Sequence, residues 1–290
     1  MSPAVEVKNL TKSFKVDFWA KAVQAVNGLT FDVQQNRIVG FLGANGAGKT
    51  TTIKTILGLI YPTSGEVRVF GKDPKNPESR REVGFLPERP YFYEYLTGRE
   101  FLKFYGRLSN VLVTDEKIDE LLQRVGVFHA ADRPLRRFSK GMLQRVGLCQ
   151  AIIHQPKLLI LDEPMSGLDP DGRFDMLGLI RSIRDQGTTI FLSSHQLHDV
   201  ESLCDDVVMI EKGRLVVQSE VKKLIEQESK GFLITFRTKE HSIAFFECST
   251  EEELQKKIDE FRQHKTSIVA IEAKRPTLEE IFVRMKREFS

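Results

Sequence analysis

Between Arg37 and Ile60 an apolar run, a glycine-rich loop and a helical pattern follow one another, and the loop reads Gly43-Ala44-Asn45-Gly46-Ala47-Gly48-Lys49-Thr50. The spacing G-x-x-x-x-G-K-[ST], set after a strand and before a helix, is that of a phosphate-binding loop. It constrains the fold because a buried strand must deliver the loop and a helix N-terminus must receive an anion. The glycines let backbone N–H groups converge on phosphate oxygens, and the first helical amides add partial positive charge. Lys49 would reach terminal phosphates and Thr50 would ligate magnesium, with Thr51 assigned to the same site.

Helical spacing at Ile53, Ile56, Leu57 and Ile60 predicts a helix over 49–60, stopped by Pro62 and Gly65. Strands are expected at Val5–Leu10, Leu29–Val33, Arg37–Leu42, Glu66–Phe70, Val83–Leu86, Leu158–Leu161, Thr188–Leu192 and Val207–Ile210. Residues 97–130 read as mostly helical, and a further helix should run from the Phe138 region to about His154. Alternating strands and helices predict an α/β fold with a largely parallel, buried sheet. After about Lys223 the pattern changes to strands at Phe232–Phe236, Ile243–Glu247 and Ile268–Glu272 mixed with two helices, a small α+β unit. The last helix should carry a capping box between Thr277 and Glu280. The expected organisation is therefore a main domain over 1–222, with a helical subdomain at about 97–155, and an accessory domain over 223–290.

Lysine and arginine total 43 against 40 acidic residues, a net charge of +3, too weak a bias for a nucleic-acid footprint. No apolar run approaches the roughly 18 to 20 residues needed to cross a bilayer, and the first residues, Met1-Ser2-Pro3-Ala4-Val5, carry no signal-peptide pattern. A cytosolic chain is expected. Cys149, Cys204 and Cys248 are far apart and form no Cys-x-x-Cys pair, which argues for buried structural thiols over a disulfide framework or zinc site.

Leu158-Leu159-Ile160-Leu161-Asp162-Glu163 is an apolar strand with two carboxylates at its C-terminal end, where ligands of open α/β sheets bind. Asp162 is positioned to hold magnesium and Glu163 to polarise an attacking water as general base. Alone, such a run is also an ordinary strand followed by a turn; the phosphate loop gives it a function. Phe138-Ser139-Lys140-Gly141-Met142 opens an apolar helix and forms a second anion site. Ser166-Gly167-Leu168-Asp169-Pro170 follows the carboxylates, and Ser193-Ser194-His195 ends a later strand. His195 would either contact a terminal phosphate or serve as a structural strand-end histidine; His198 reads as structural.

In this order the segments resemble the ATP-binding-cassette family: phosphate loop, Phe85-Leu86-Pro87-Glu88, signature Ser139-Lys140-Gly141, magnesium strand, Asp169 and His195, spanning roughly Val5 to Val221. The resemblance implies a P-loop cassette with a mainly parallel core sheet, an antiparallel β subdomain, a helical signature subdomain and a small C-terminal extension. It also implies ATP and Mg²⁺ as ligands and ATP hydrolysis as the reaction. Two cassettes would face each other, as a homodimer or with a second cassette. Ser139, Lys140 and Gly141 would bind the partner's ATP, Asp169 would lie at the seam, and His195 would sense the γ-phosphate. Phe14 looks like the family's adenine-stacking ring, a flat face being the requirement; a core phenylalanine is the other reading. Separate transmembrane permease subunits would place the chain peripherally on the cytoplasmic side of the cell membrane.

Two positions depart from the common pattern. Glu88 replaces glutamine and, when ionised, accepts but cannot donate; a contact to magnesium or its water survives that change. Lys140 adds charge within the signature. Both resemble export-type cassettes for drugs and polymers. The stretch 15–25 is long and holds Phe18 and Trp19, for hairpin packing or for a membrane or partner contact. Pro90-Tyr91-Phe92-Tyr93-Glu94-Tyr95-Leu96 is unusually aromatic for a loop and is expected to meet the membrane subunit. A soluble cassette acting on ribosomes or nucleic acid is the alternative; it would typically carry two cassettes or a long inserted coiled coil.

Overall fold

The computed structural model describes residues 2–14, 22–229, 231–238, 240 and 242–289. Phe18 and Trp19 lie outside the described residues. The chain divides into two compact units, Met1–Gln218 and Ser219–Ser290.

The first unit begins β1 (Val5–Phe14), β2 (Val23–Val33), β3 (Ile38–Leu42), α1 (Lys49–Ile56), β4 (Ser64–Val69), α2 (Pro77–Arg81) and β5 (Val83–Leu86). It continues α3 (Gly98–Leu108), α4 (Asp115–Arg124), α5 (Lys140–Ile152), β6 (Leu158–Asp162), α6 (Pro170–Arg184), β7 (Thr189–Ser194), α7 (Leu197–Leu203), β8 (Asp206–Glu211) and all but the last two residues of β9 (Arg214–Glu220). One sheet has the order β2-β1-β4, antiparallel throughout. The other has the order β5-β6-β7-β3-β8-β9, and β5, β6, β7, β3 and β8 are parallel. Every residue of β3, β6 and β7 is buried, which is why these strands read as continuous apolar runs rather than alternating ones. Phe31 on β2, Phe41 on β3 and Phe191 on β7 stack with ring centroids 5.2–5.9 Å apart, joining the two sheets in one core.

Several boundaries differ from the sequence-based expectation. Helix α1 ends at Ile56, because Gly58 takes a positive φ of 67°. Gly58 N–H donates to Thr55 O and Leu59 N–H to Lys54 O, a Schellman cap that satisfies the last carbonyls before Pro62 is reached. Strand β1 extends to Phe14, paired with Val23 of β2. Helix α2 was not expected; it is five residues, too short for a periodic signal, and starts because the Asn76 side chain accepts from Glu78 N–H. Strand β9 was also not expected. It follows β8 across Lys212 and Gly213, both at positive φ, the geometry of a two-residue hairpin turn.

The helical segment is built from capped pieces. Thr97 and Glu100 form a reciprocal capping box on α3, Thr114 caps α4 and Ser139 caps α5. Phe101, Leu102, Ile118, Leu122 and Leu148 fill its interior. Helix α5 stops at Ile152.

The second unit holds α8 (Val221–Glu228), β10 (Phe232–Arg237), β11 (Ile243–Cys248), α9 (Glu251–Gln263), β12 (Ser267–Ala273) and α10 (Leu278–Phe289). It has three helices where two were expected, since α8 is only eight residues. The antiparallel sheet β11-β10-β12 packs Ile234 and Cys248 against Leu254 and Phe261 of α9. Thr277 and Glu280 form the expected capping box, at 2.9 and 3.2 Å. All three cysteines are free and buried. No helix among the described residues is long and apolar enough to cross a membrane.

Candidate nucleotide-binding site

Strands β6, β7 and β3 are neighbours, so the C-terminal ends of three buried strands open on one place. Leu42 leads into the glycine loop, Asp162 into Glu163, and Ser194 into His195. The register pairs Asp162 with Ser193 and Leu42 with Ser194, so polar residues distant in sequence arrive side by side.

The loop's shape explains its glycines at two positions. Gly48 has φ 105°, and a Cβ there would lie 2.5 Å from the Ala25 carbonyl. Gly43 has ordinary φ, but its Cβ would meet the Ile210 carbonyl at 2.7 Å. Both close approaches hold the loop down and leave its mouth open. A cavity of about 460 Å³ lies there, lined by Phe14, Ala25, Ala44, Asn45, Gly46, Gly48, Lys49, Thr50, Thr51, Glu88, Asp162, Glu163, Ser166 and His195. Phe14 is 40% exposed, so it is a ring offered to the cavity rather than a core residue.

Charge is concentrated at the cavity floor. Lys49, buried, donates from Nζ to the Gly43 carbonyl at 2.7 Å and lies 3.7 Å from Glu163 Oε1. Glu163 Oε2 is 2.7 Å from His195 Nδ1. Ser193, fully buried, donates to Asp162 Oδ1 at 2.6 Å and accepts the Glu163 N–H at 3.0 Å. Burial pushes the Asp162 carboxyl above its usual range; the Ser193 hydrogen bond opposes that, and the like charges of Glu163 and Glu88 add to it. Glu163 itself sits at φ 51°, a left-handed conformation a non-glycine residue adopts only when its surroundings enforce it.

Sequence reasoning identified the loop, Phe14, Glu88, Asp162, Glu163 and His195, and the fold gathers all of them; Gly43 and Ala47 are buried in the loop's base. Ser139, Lys140, Gly141 and Asp169 do not line this cavity. Ser139 accepts from Met142 N–H at the start of α5, and Asp169 from Gly172 N–H at the start of α6. Sequence reasoning missed Ser166, Ala25 and the working contacts of Ser193. The serine was visible beside His195, but nothing local marks it as the hydrogen-bond partner of Asp162.

The ABC transporter family profile matches residues 26–166, from β2 through the turn that follows Glu163. An uncharacterized ABC transporter ATP-binding protein of Synechocystis is 34% identical over 98% of this chain and 85% of its own. The chain belongs to the ABC transporter ATP-binding subunits. The bacitracin transport ATP-binding protein BcrA of Bacillus licheniformis is 42% identical over 74% of this chain and 69% of its own. A solved structure of an ATP-binding subunit of an ABC transporter is 30% identical, with a TM-score of 0.69 over 78% of this chain and 93% of its own. Proteins of this family bind ATP, and the cavity lies at the mouth of this chain's phosphate-loop sequence.

Among the described residues, no group of three or more His, Cys, Asp or Glu could hold a metal ion. The donors at the cavity are oxygens, the Thr50 hydroxyl and the Asp162 and Glu88 carboxylates, a set that suits a hard divalent cation sharing its coordination with phosphate and water.

Proposed function

We propose that this chain hydrolyses ATP as the motor subunit of an ABC exporter. The observation that carries the proposal is the Glu163 carboxylate, held 2.7 Å from His195 and 3.7 Å from Lys49 at the mouth of the phosphate loop. Lys49 would turn from the Gly43 carbonyl to the terminal phosphates, and the loop amides would take their oxygens. Phe14 would stack on adenine. Glu163 would take a proton from the attacking water, and His195 would contact the γ-phosphate while keeping Glu163 in place. Thr50, Asp162 and Glu88 would hold magnesium, which supplies positive charge against the phosphates.

Ser139, Lys140 and Gly141, at the start of α5, do not line the cavity; Ser139 and Lys140 are exposed, and Asp169 is exposed at the start of α6. This placement supports a closed state in which they meet the nucleotide of a second cassette, identical or not. ATP contacts made only in that state would bias the equilibrium toward it. Tyr91 and Tyr95, 80% and 71% exposed, support a docking site for separate membrane subunits at the cytoplasmic face. The likeness to BcrA, a bacitracin transport protein, together with Glu88 and Lys140, supports export over import. In this reading 1–222 is the motor domain and 223–290 an accessory one.

The test is to express tagged Glu163→Gln protein in its native cell, solubilise membranes with Mg-ATP, and identify what co-purifies. A multi-helix membrane protein is expected. Ribosomes or DNA-bound factors without a membrane partner would replace the transporter reading with a soluble one.

A further inference from the structure

We propose that Gln144 is a positioning residue for Glu163, acting through the Pro164 carbonyl. The proposal rests on the reading of Glu163 as the base. Gln144 lies on α5 and is 4% exposed; its Nε2 donates to Pro164 O at 3.1 Å. Pro164 follows Glu163 directly and opens a turn in which Ser166 N–H donates to the Glu163 carbonyl at 3.0 Å. Proline in the second position of such a turn has a fixed φ, and the turn's own hydrogen bond ends on the Glu163 carbonyl, so it provides no donor for the Pro164 carbonyl. Gln144 supplies that donor from another element.

The consequence lies in the conformation of Glu163. Its φ of 51° is strained for a residue with a Cβ and persists only while both flanking peptide groups are held. On one side Ser193 Oγ accepts the Glu163 N–H at 3.0 Å. On the other side, the Ser166 amide holds the Glu163 carbonyl and Gln144 holds that of Pro164. Loosening the second clamp lets the 163–164 backbone relax toward ordinary φ and swings the carboxylate off His195. Gln144 also stands on the helix that Ser139 caps, little more than one turn further on. The helix that presents the signature and the turn that presents the base are therefore joined by one buried side-chain hydrogen bond. A rotation of α5 when the signature engages a second cassette would be felt at Glu163 without any change in the phosphate loop.

The test is single-turnover ATP hydrolysis by the full chain, with ATP affinity and Tm measured beside it. Gln144→Met keeps the volume and removes the donor. It is expected to slow hydrolysis about tenfold while ATP affinity stays within about twofold, the scale of one lost hydrogen bond to a strained group. Gln144→Glu can donate to Pro164 O only when protonated, so its rate relative to wild type should climb as pH is lowered. The limb should appear in the rate while Tm and ATP affinity stay level over the same pH range, a combination that a purely structural role would not produce. Gln144→Met at the wild-type rate overturns the proposal. So do Gln144→Met and Gln144→Glu equally slow at every pH with weakened ATP binding and a lowered Tm. Glu163→Gln serves as the control. If it hydrolyses at the wild-type rate, the base reading fails and this proposal falls with it. If it is slow while Gln144→Met is not, the base stands and only the role of Gln144 is lost.

Discussion

The His195 Nδ1 atom stands 2.7 Å from Glu163 Oε2, and the same carboxylate oxygen faces the His195 N–H at 3.4 Å. Histidine and glutamate come from the ends of adjacent parallel strands, so their contact reports the register of the sheet. Glu163→Gln keeps the shape and removes the basic oxygen pair. Hydrolysis should fall by about 10² to 10⁴-fold while ATP binding is retained. Single-turnover hydrolysis and a nucleotide-affinity titration check it; an unimpaired rate would refute the assignment of Glu163.

Gly48→Ala places a Cβ 2.5 Å from the Ala25 carbonyl at a φ of 105°. Neither the clash nor the strain can be relieved by a flexible side chain, because the obstacle is backbone. The loop should shift, with a stability cost on the order of 1–3 kcal/mol. ATP affinity should drop at least tenfold, on the order of 1.4 kcal/mol. Urea denaturation and nucleotide titration separate the two effects.

Burial pushes the Cys149 thiol up to about 12 in the folded chain. An unfolded cysteine titrates near ~8.5. Between those values the unfolded chain has lost the proton and the folded chain keeps it, so stability falls as pH rises from about 8.5 toward 12 and is unaffected below. The Cys149 thiolate is also scarce in the native state. Cys149→Ser should therefore leave the rate of thiol-reagent labelling of native protein at pH 8 unchanged, while fewer groups react once urea unfolds both proteins. A slower native rate in the variant would contradict its burial.

Tyr91 and Tyr95 are exposed and do not line the phosphate-loop cavity; they lie beside a ring cluster in which Tyr93 packs edge-on against Phe104 at 5.4 Å. Tyr91→Asp with Tyr95→Asp should leave basal ATP hydrolysis intact and abolish transport by the assembled complex. Measuring both in reconstituted vesicles decides it, and equal loss of the two activities would rule out a docking role.

The phosphate loop was legible because its function requires adjacent residues: glycines for the backbone, then lysine and threonine at the helix start. Strand β6 was legible for a similar reason, since burial on both faces forces an unbroken apolar run up to Asp162 and Glu163. Helix α2 and strand β9 were not legible. The first is too short to show a period, and the second lacks the apolar alternation that marks a strand with one covered face.

The sequence by itself determined the family, the α/β alternation and the phosphate-loop pattern, because each rests on local spacing. Only the tertiary structure decided that Ser193 holds Asp162 and the Glu163 amide, that Gln144 reaches Pro164, and that Ser139 and Asp169 do not line the cavity. A polar side chain's partner is set by strand register and by which helix covers which turn. Those are properties of long-range packing, and they leave no mark on the neighbouring residues of the chain.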